Sequence, residues 1–178
     1  SMGVSDEDIA KGLQSVFVKG RCELVRAGED VSVIIDYAHN GVSLKSIIET
    51  VSEYDHNRII TLFGSVGGRT ECRRRELGSV SGKMSDFTVI TSDDPDFEDP
   101  MSICEEIASY CKAAGGEYVI FPDRSEAVNY AVKMAVSGDI IILAGKGHED
   151  YQLIGSEKVP FSEYDIIINT AQKIRAIV

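Results

Sequence analysis

The sequence predicts an α/β domain built on a mostly parallel sheet with helices on both faces. Short apolar segments alternate with amphipathic ones along most of the chain, which is the pattern of repeated strand–helix units. Residues 139–144 form an apolar, β-branched run bounded by glycines, as expected of a strand that is covered on both faces. Leu44, Ile47 and Ile48 have the one-face spacing of an amphipathic helix.

The other elements follow in chain order between turn-forming residues. We predict strands at 22–26, 31–35, 59–63, 87–91 and 118–121, with a helix after each of the last four. A small hairpin around Gly155 and a final helix at 166–177 complete the fold. Asp99, which precedes a proline, and Asp123 are placed to cap two of the helices.

Residues 1–19 precede the first predicted strand and carry a short helical pattern from Ser5 to Val16. Ser1 before Met2 is typical of a cloning remnant. We expect residues 1–19 to be a tag remnant and a linking helix, and residues 20–178 to be the domain itself.

The composition, 43% hydrophobic and 26% charged over 178 residues, is that of a globular protein. No apolar run reaches the length of a membrane span, and the N-terminus lacks the features of a signal peptide. The net charge of −11 disfavours a nucleic-acid partner. Cys104 and Cys111 lack metal or redox spacing and are expected to be small buried residues. These observations predict a cytoplasmic protein without a membrane or nucleic-acid partner.

Four predicted strands run into polar loops, at 36–40, 64–69, 93–96 and 145–150. Because parallel strands end at one edge of a sheet, we expect these loops to converge there and bind a ligand. The loop at 145–150, Gly-Lys-Gly-His-Glu-Asp, is the most informative. Its glycines allow a close approach of the backbone, and it carries a cation, an imidazole and two acids.

Several alternatives stay open from the residues alone. The loop at 64–68 lacks the dinucleotide fingerprint, and the loop at 145–150 lacks the serine or threonine of a P-loop. Asp36 and His39 could equally be caps of the following helix. The basic cluster at 73–75 is typical of solvated helix surface, and the acids at 93–96 could be turn residues or a weak metal site.

Taken in order, the motifs resemble the C-terminal domain of the Mur ligases. They are Gly-Arg at 20–21, Asp-Tyr-Ala-His at 36–39, Gly-Gly-Arg at 67–69, Asp-Asp-Pro at 93–95 and Gly-Lys-Gly-His-Glu-Asp-Tyr-Gln at 145–152. The last is similar to the branch of UDP-N-acetylmuramoyl-tripeptide synthetases. The resemblance implies a Rossmann-like domain that works in peptidoglycan synthesis.

The resemblance also implies an ATP-dependent amide ligation in a three-domain enzyme. A UDP-MurNAc-dipeptide carboxylate becomes an acyl phosphate, and the amino group of a third amino acid attacks it. N-terminal and central domains of the same polypeptide are the implied partners, and the central domain holds most of the ATP and Mg²⁺ site. This chain is therefore expected to be inactive alone.

Site roles follow from the same resemblance. It implies that Arg21, Asp36 and His39 contact ATP, which suits an arginine on phosphate and a carboxylate on ribose hydroxyls. The implied amino-acid pocket consists of Arg69, Asp93, Asp94, Gly145 and Glu149. Arg74, Lys146 and His148 are further candidates, and no metal ligand is implied in this domain.

One departure from the family pattern predicts the amino acid. The diaminopimelate-adding branch has Asp-Asn-Pro-Arg, whereas this chain has Asp-Asp-Pro-Asp, ending at Asp96. An acid at that position would repel the distal carboxylate of diaminopimelate and attract an ammonium group. We therefore predict L-lysine first and ornithine second. The rival readings are another Mur-type ligase branch and a freestanding amino-acid-binding module without ligase activity.

Overall fold

The protein is described by a computed structural model that covers residues 5–14, 18–28, 30–68 and 71–176. A six-stranded sheet lies at its centre, in the order β1-β2-β6-β3-β4-β5. The strands are β1 (Glu23–Arg26), β2 (Ser32–Asp36), β3 (Ile59–Phe63), β4 (Phe87–Ile90), β5 (Tyr118–Ile120) and β6 (Ile140–Ala144). Only β1 pairs antiparallel among them, with β2. The predicted mostly parallel α/β fold is confirmed.

Helices cover both faces of this sheet. The helices are α1 (Asp6–Gln14), α2 (Gly41–Ser52), α3 (Glu71–Met84), α4 (Pro100–Ala113), α5 (Arg124–Met134) and α6 (Glu163–Arg175). Residues of α2, α3 and α4 share one apolar cluster, and residues of α5 and α6 share the other. A two-stranded hairpin, β7 (Tyr151–Ile154) and β8 (Glu157–Pro160), follows β6. Val16, in the predicted N-terminal helix, lies outside the described residues.

The central strand β6 explains why its sequence is apolar at every position. Ile140 and Ile142 face the cluster of α2, α3 and α4, whereas Ile141 and Leu143 face α5 and α6. Successive side chains of a strand point to opposite faces, so a strand covered on both needs no polar position. Cys104 and Cys111 are fully buried free thiols in the first cluster, as predicted.

The two predicted helix caps are confirmed, but the last helix begins earlier than predicted. Asp99 accepts a hydrogen bond from the Ser102 amide at 2.9 Å, and Asp123 accepts one from the Glu126 amide at 3.0 Å. The predicted start of the last helix at 166 was wrong. Ser162 is its N-cap and accepts from the Asp165 amide at 3.2 Å, so the helix begins three residues earlier.

The parallel pairings decide where the loops meet. β2, β6, β3 and β4 are consecutive parallel neighbours, so their carboxyl ends lie along one edge of the sheet. The four polar loops predicted from the sequence follow these strands. No helix of the described ranges is both long enough and apolar enough to cross a membrane.

Candidate functional site

A cleft of about 590 Å³ lies at the carboxyl edge of the sheet, and all four polar loops contribute to it. It is lined by Tyr37, His39, Val66, Gly67, Gly68, Arg73, Asp93, Asp94, Asp96, Gly145, Glu149 and Leu153. The predicted convergence of the loops is therefore confirmed. Acidic side chains outnumber basic ones among these residues.

Beneath the cleft, the ammonium group of Lys146 holds three carboxylates together. Its Nζ lies 2.7 Å from Asp94 Oδ1, 2.8 Å from Glu149 Oε2 and 3.6 Å from Asp93 Oδ1. The Lys146 side chain is completely buried. Burial alone would lower the pKa of Lys146, but the hydrogen bonds to Asp94 and Glu149 raise it above the ordinary lysine value. Lys146 is therefore a permanent internal cation at neutral pH.

Asp93 is the most deeply buried acid of the cleft, with 5% of its surface exposed. Burial raises its pKa, and the neighbouring charges of Asp94 and Glu149 add to that rise. Arg124 and Lys146 act in the opposite direction. The charge on Asp93 thus depends on two buried cations. The oxygens of Asp93, Asp94 and Glu149 lie within 4.8 Å of one another, and Lys146 supplies the positive charge that such a cluster needs.

The β7–β8 hairpin fixes the loop that carries Asp94 and Asp96. Asp94 Oδ1 accepts a hydrogen bond from the Leu153 amide at 2.9 Å. The Asp96 amide donates to the Leu153 carbonyl at 3.3 Å, and the Gly155 amide donates to the Asp96 carbonyl at 2.7 Å. Asp96 adopts a left-handed φ of 55°, a conformation that aspartate tolerates better than most residues. Within the described ranges its carboxylate forms no ion pair, and it lines the cleft.

At two positions of the cleft, Gly67 and Gly145, another part of the chain lies directly against the backbone. A Cβ at Gly67 would lie 1.9 Å from the Pro95 carbonyl oxygen, so the loops after β3 and β4 can meet only through a glycine. Gly145 has φ +115°, and a Cβ there would lie 2.6 Å from Asp93 Oδ2. Gly145 therefore lets the buried carboxylate pass directly against the backbone of the loop after β6.

The other side of the cleft is formed around the ring of Tyr37. The His39 and His148 rings lie 5.1 Å and 5.3 Å from it, and the guanidinium carbon of Arg21 lies 4.8 Å from its centroid. His39 Nδ1 is 2.9 Å from the Tyr37 carbonyl oxygen. With the proton assigned to Nδ1 as the donor, Nε2 is left as a hydrogen-bond acceptor.

Asp36 and His39 are not helix caps, so that alternative was wrong. Asn40 caps α2 by accepting from the Ser43 amide at 2.9 Å. The two oxygens of Asp36 instead accept from the amides of Cys22 and Ala38, both at 2.8 Å. Asp36 thereby ties the segment before β1 to the end of β2.

The basic cluster at 73–75 has three different environments. Arg73 lines the cleft and Arg75 is exposed. Arg74 is buried, where it makes a two-pronged bond to Glu98 at 2.6 and 2.8 Å and a bond to Glu106 at 2.7 Å. The interpretation as solvated surface is therefore wrong for Arg74. It does not line the cleft either, because its guanidinium is occupied by acids of the loop after β4 and of α4.

Of the remaining predicted residues, Asp93, Asp94, Asp96, Gly145, Glu149 and His39 lie in the cleft. Arg69 lies outside the described residues. Sequence reasoning missed Tyr37, Leu153 and a buried pair, Arg124 with Glu163. The signal for Arg124 was its position at the start of α5, four residues after the end of β5 in the parallel sheet.

These features define an open α/β domain with an acidic cleft at the carboxyl edge of its sheet. Residues 20–147 match the family model described as "Mur ligase, glutamate ligase domain". The chain belongs to this family, and the resemblance stated from the motifs is confirmed.

Relatives with two different amino-acid substrates are similar to this chain. The UDP-N-acetylmuramoyl-L-alanyl-D-glutamate–2,6-diaminopimelate ligase of Caldanaerobacter subterraneus subsp. tengcongensis is 42% identical over 93% of this chain and 34% of its own length. The corresponding L-lysine ligase of Streptococcus sanguinis is 41% identical over 90% of this chain and 33% of its own length. A solved structure of a 2,6-diaminopimelate ligase matches with a TM-score of 0.83 and 26% identity, over 91% of this chain and 33% of that chain. This chain spans about a third of these relatives.

Proposed function

We propose that this chain is the C-terminal, amino-acid-presenting domain of an ATP-dependent UDP-MurNAc-tripeptide synthetase, and that the amino acid is L-lysine. One observation carries the choice of amino acid. Near the cleft, Lys146 and Arg124 are already bonded to acids, and Arg21 lies over the Tyr37 ring. The lining itself has four carboxylates and, among the described residues, one arginine, Arg73. This excess of negative charge favours a ligand with more ammonium than carboxylate groups.

Asp96 is the carboxylate best suited to a distal ammonium group. Lys146 already neutralises part of the charge on Asp94 and Glu149. Asp96 lines the cleft without an ion-pair partner among the described residues, so its charge is available to the ligand. The distal carboxylate of diaminopimelate would face this uncompensated acid, which is unfavourable unless Arg73 reaches it. Relatives using either amino acid are about equally similar, so the preference rests on this charge argument.

The chain also offers groups that fit a nucleotide. Arg21 is exposed, and its guanidinium stacks on Tyr37, which suits it to a phosphate. Each oxygen of Asp36 accepts one backbone amide and keeps a lone pair for a ribose hydroxyl. His39 Nε2 has no hydrogen-bond partner among the described residues, and the His39 ring packs against Tyr37 as well. We therefore propose Arg21, Asp36 and His39 as contacts to ATP, with Mg²⁺ held mainly outside this chain.

ATP would supply the phosphoryl group that converts the dipeptide carboxylate into an acyl phosphate. The residues of this chain would bind and orient the amine that attacks it, with inorganic phosphate as the leaving group. Asp93 and Glu149 are the proposed partners of the amino group, while Asp96 holds the distal ammonium. Binding in one orientation brings the attacking nitrogen to a fixed place, which is a major source of rate in two-substrate reactions.

The parent ligase tests this proposal. It should form an amide between UDP-MurNAc-L-Ala-D-Glu and L-lysine only in the presence of ATP, and this chain alone should form none. Asp96→Asn retains the left-handed backbone and removes the charge, so it should raise KM for lysine about tenfold and leave KM for ATP unchanged. Asp55→Asn, at an exposed turn, is the matched control. Amino-acid binding by this chain with no ligation by the parent would favour the binding-module alternative.

A further inference from the structure

We propose that Arg124 is a positioning residue of the amine site, which acts through Asp93 and Gly145. The effect of Arg124 on ligation rests on the proposed function, whereas the effect of Arg124 on the charge of Asp93 does not. Arg124 is the first residue of α5 and is almost completely buried, with 1% of its surface exposed. An arginine in the first turn of a helix is ordinarily solvated, so its complete burial requires partners.

The guanidinium of Arg124 connects the ends of two strands. Its Nη1 donates to the Ser92 carbonyl at 3.3 Å, and its Nη2 donates to the Ala144 carbonyl at 2.8 Å. These carbonyls immediately precede Asp93 and Gly145, which face each other in the cleft. A Cβ at Gly145 would lie 2.6 Å from Asp93 Oδ2 and 3.9 Å from Arg124 Nη2. Arg124 therefore sets the spacing of the two loops from below.

Glu163 holds Arg124 in this orientation. Its Oε1 accepts from Arg124 Nε at 3.0 Å and from Nη2 at 2.8 Å. Glu163 opens α6, which packs on α5 in the apolar cluster that contains Ile167 and Ala171. Glu163 is itself buried, with 4% of its surface exposed. The pair thus couples the packing of α6 to the geometry of the cleft.

Arg124 also acts on the charge of Asp93. The two cations that favour ionised Asp93 are Arg124 and Lys146. Lys146 divides its bonds among several acids, and it lies closer to Asp94 and Glu149 than to Asp93. Arg124 is bonded to the carbonyl of Ser92, the residue that precedes Asp93. Without Arg124, a larger share of Asp93 would be protonated at neutral pH, and the amine site would lose negative charge.

A simple structural role makes a different prediction from a positioning role. A buried ion pair can often be replaced by apolar residues of similar size without loss of stability. The double variant Arg124→Met/Glu163→Met should therefore fold. If the pair only fills space, the cleft of this variant stays intact. If Arg124 positions and charges the site, the cleft changes while the fold remains.

The first test is carbon-detected NMR titration of the Asp93 carboxyl in this chain. The double variant should raise the pKa of Asp93, although by less than loss of Arg124 alone would, because it also removes the neighbouring anion Glu163. Arg124→Lys keeps the charge and should leave the Asp93 titration close to that of the unmodified chain. Lys45→Met/Glu49→Met is the matched control, because it removes an exposed ion pair on α2 that does not line the cleft. An unchanged Asp93 titration in the folded double variant would overturn the electrostatic role.

The second test uses the parent ligase and separates KM from kcat. Both Arg124→Lys and the double variant should raise KM for the amino acid about tenfold and leave KM for ATP unchanged, because lysine cannot span two carbonyls and Glu163. Unchanged amino-acid KM in Arg124→Lys would overturn the positioning role. If the unmodified parent lacks ligase activity, the proposed function fails, and the Asp93 titration still decides the inference.

Discussion

Replacing Lys146 with methionine should destabilise the protein strongly and in a pH-dependent way. Lys146→Met keeps much of the side-chain volume but removes the cation within 2.7 to 3.6 Å of three carboxylates. Breaking a buried ion pair by deleting one partner costs about 3–5 kcal/mol. We expect Lys146→Met to lower the free energy of unfolding at pH 7 by an amount in that range. Such a decrease is a large part of the total stability of a small domain.

Acidification should reduce this loss. Burial already raises the pKa of Asp93 in the folded protein, and loss of Lys146, whose charge lowers that pKa, should raise it further. A group with a raised folded pKa contributes stability that is present at low pH and lost as the pH rises through that pKa. If the variant binds one extra proton across the two units from pH 7 to pH 5, it regains at most about 2.7 kcal/mol.

Urea unfolding at pH 7 and pH 5 measures both effects. Lys45→Met is the matched control, because Lys45 forms an exposed pair with Glu49 at 3.3 Å on α2. That control should change stability by less than about 1 kcal/mol at either pH. A loss below 1 kcal/mol for Lys146→Met at pH 7, or a loss equal at both pH values, would refute the assignment of Lys146 as the internal cation.

Three further predictions concern the surroundings of the cleft. Gly145→Ala should cost about 1–3 kcal/mol in urea unfolding, because a Cβ would meet Asp93 Oδ2 at 2.6 Å; unchanged stability contradicts this. Arg74→Met should lower the melting temperature and reduce the free energy of unfolding by about 2–3 kcal/mol, because the two acids that Arg74 pairs with are partly exposed. Arg75→Met, at an exposed position, should have almost no effect. Equal shifts in the two variants would be inconsistent with the structure. Burial would raise the pKa of Asp139, but hydrogen bonds lower it overall, so its stabilisation is present above about pH 3.9 and lost as pH falls further. Below that pH, the free energy of unfolding should therefore fall less steeply with falling pH in Asp139→Asn than in the unmodified chain. An equal slope would show that Asp139 does not contribute to the loss of stability in acid.

The fold was predictable because its signals are local. The apolar run of β6 fixes a strand covered on both faces, and polar loops after the strands mark the edge where they meet. Asp99 and Asp123 cap helices through amides only three residues away. Patterns of this length are visible in one sequence.

The charged network was not predictable, because its partners are distant in sequence. Arg124 meets Glu163, which lies 39 residues away, across the packing of α5 on α6. Arg74 meets Glu98 across two elements, 24 residues away. Neither partner can be chosen from composition or periodicity. Whether an arginine is buried can be decided only once the packing of the helices that cover it is known.

Asp96 combines a feature that is visible in the sequence with one that depends on contacts distant in the sequence. Its charge could be read directly from the sequence, and the prediction of lysine depends on that charge. Its exposure to the cleft depends on a left-handed backbone and on the hairpin, whose Leu153 binds the same loop. The sequence identified the residue, and the tertiary contacts of the hairpin give it its direction.

Competition between the two amino acids tests the central claim most directly. The parent ligase would be offered ATP, Mg²⁺, UDP-MurNAc-L-Ala-D-Glu, and equal concentrations of L-lysine and meso-diaminopimelate. The acidic cleft predicts a kcat/KM for L-lysine at least about tenfold above that for diaminopimelate, corresponding to about 1.4 kcal/mol. A preference for diaminopimelate would contradict the role assigned to Asp96 and would point to Arg73 as the residue that binds the distal carboxylate.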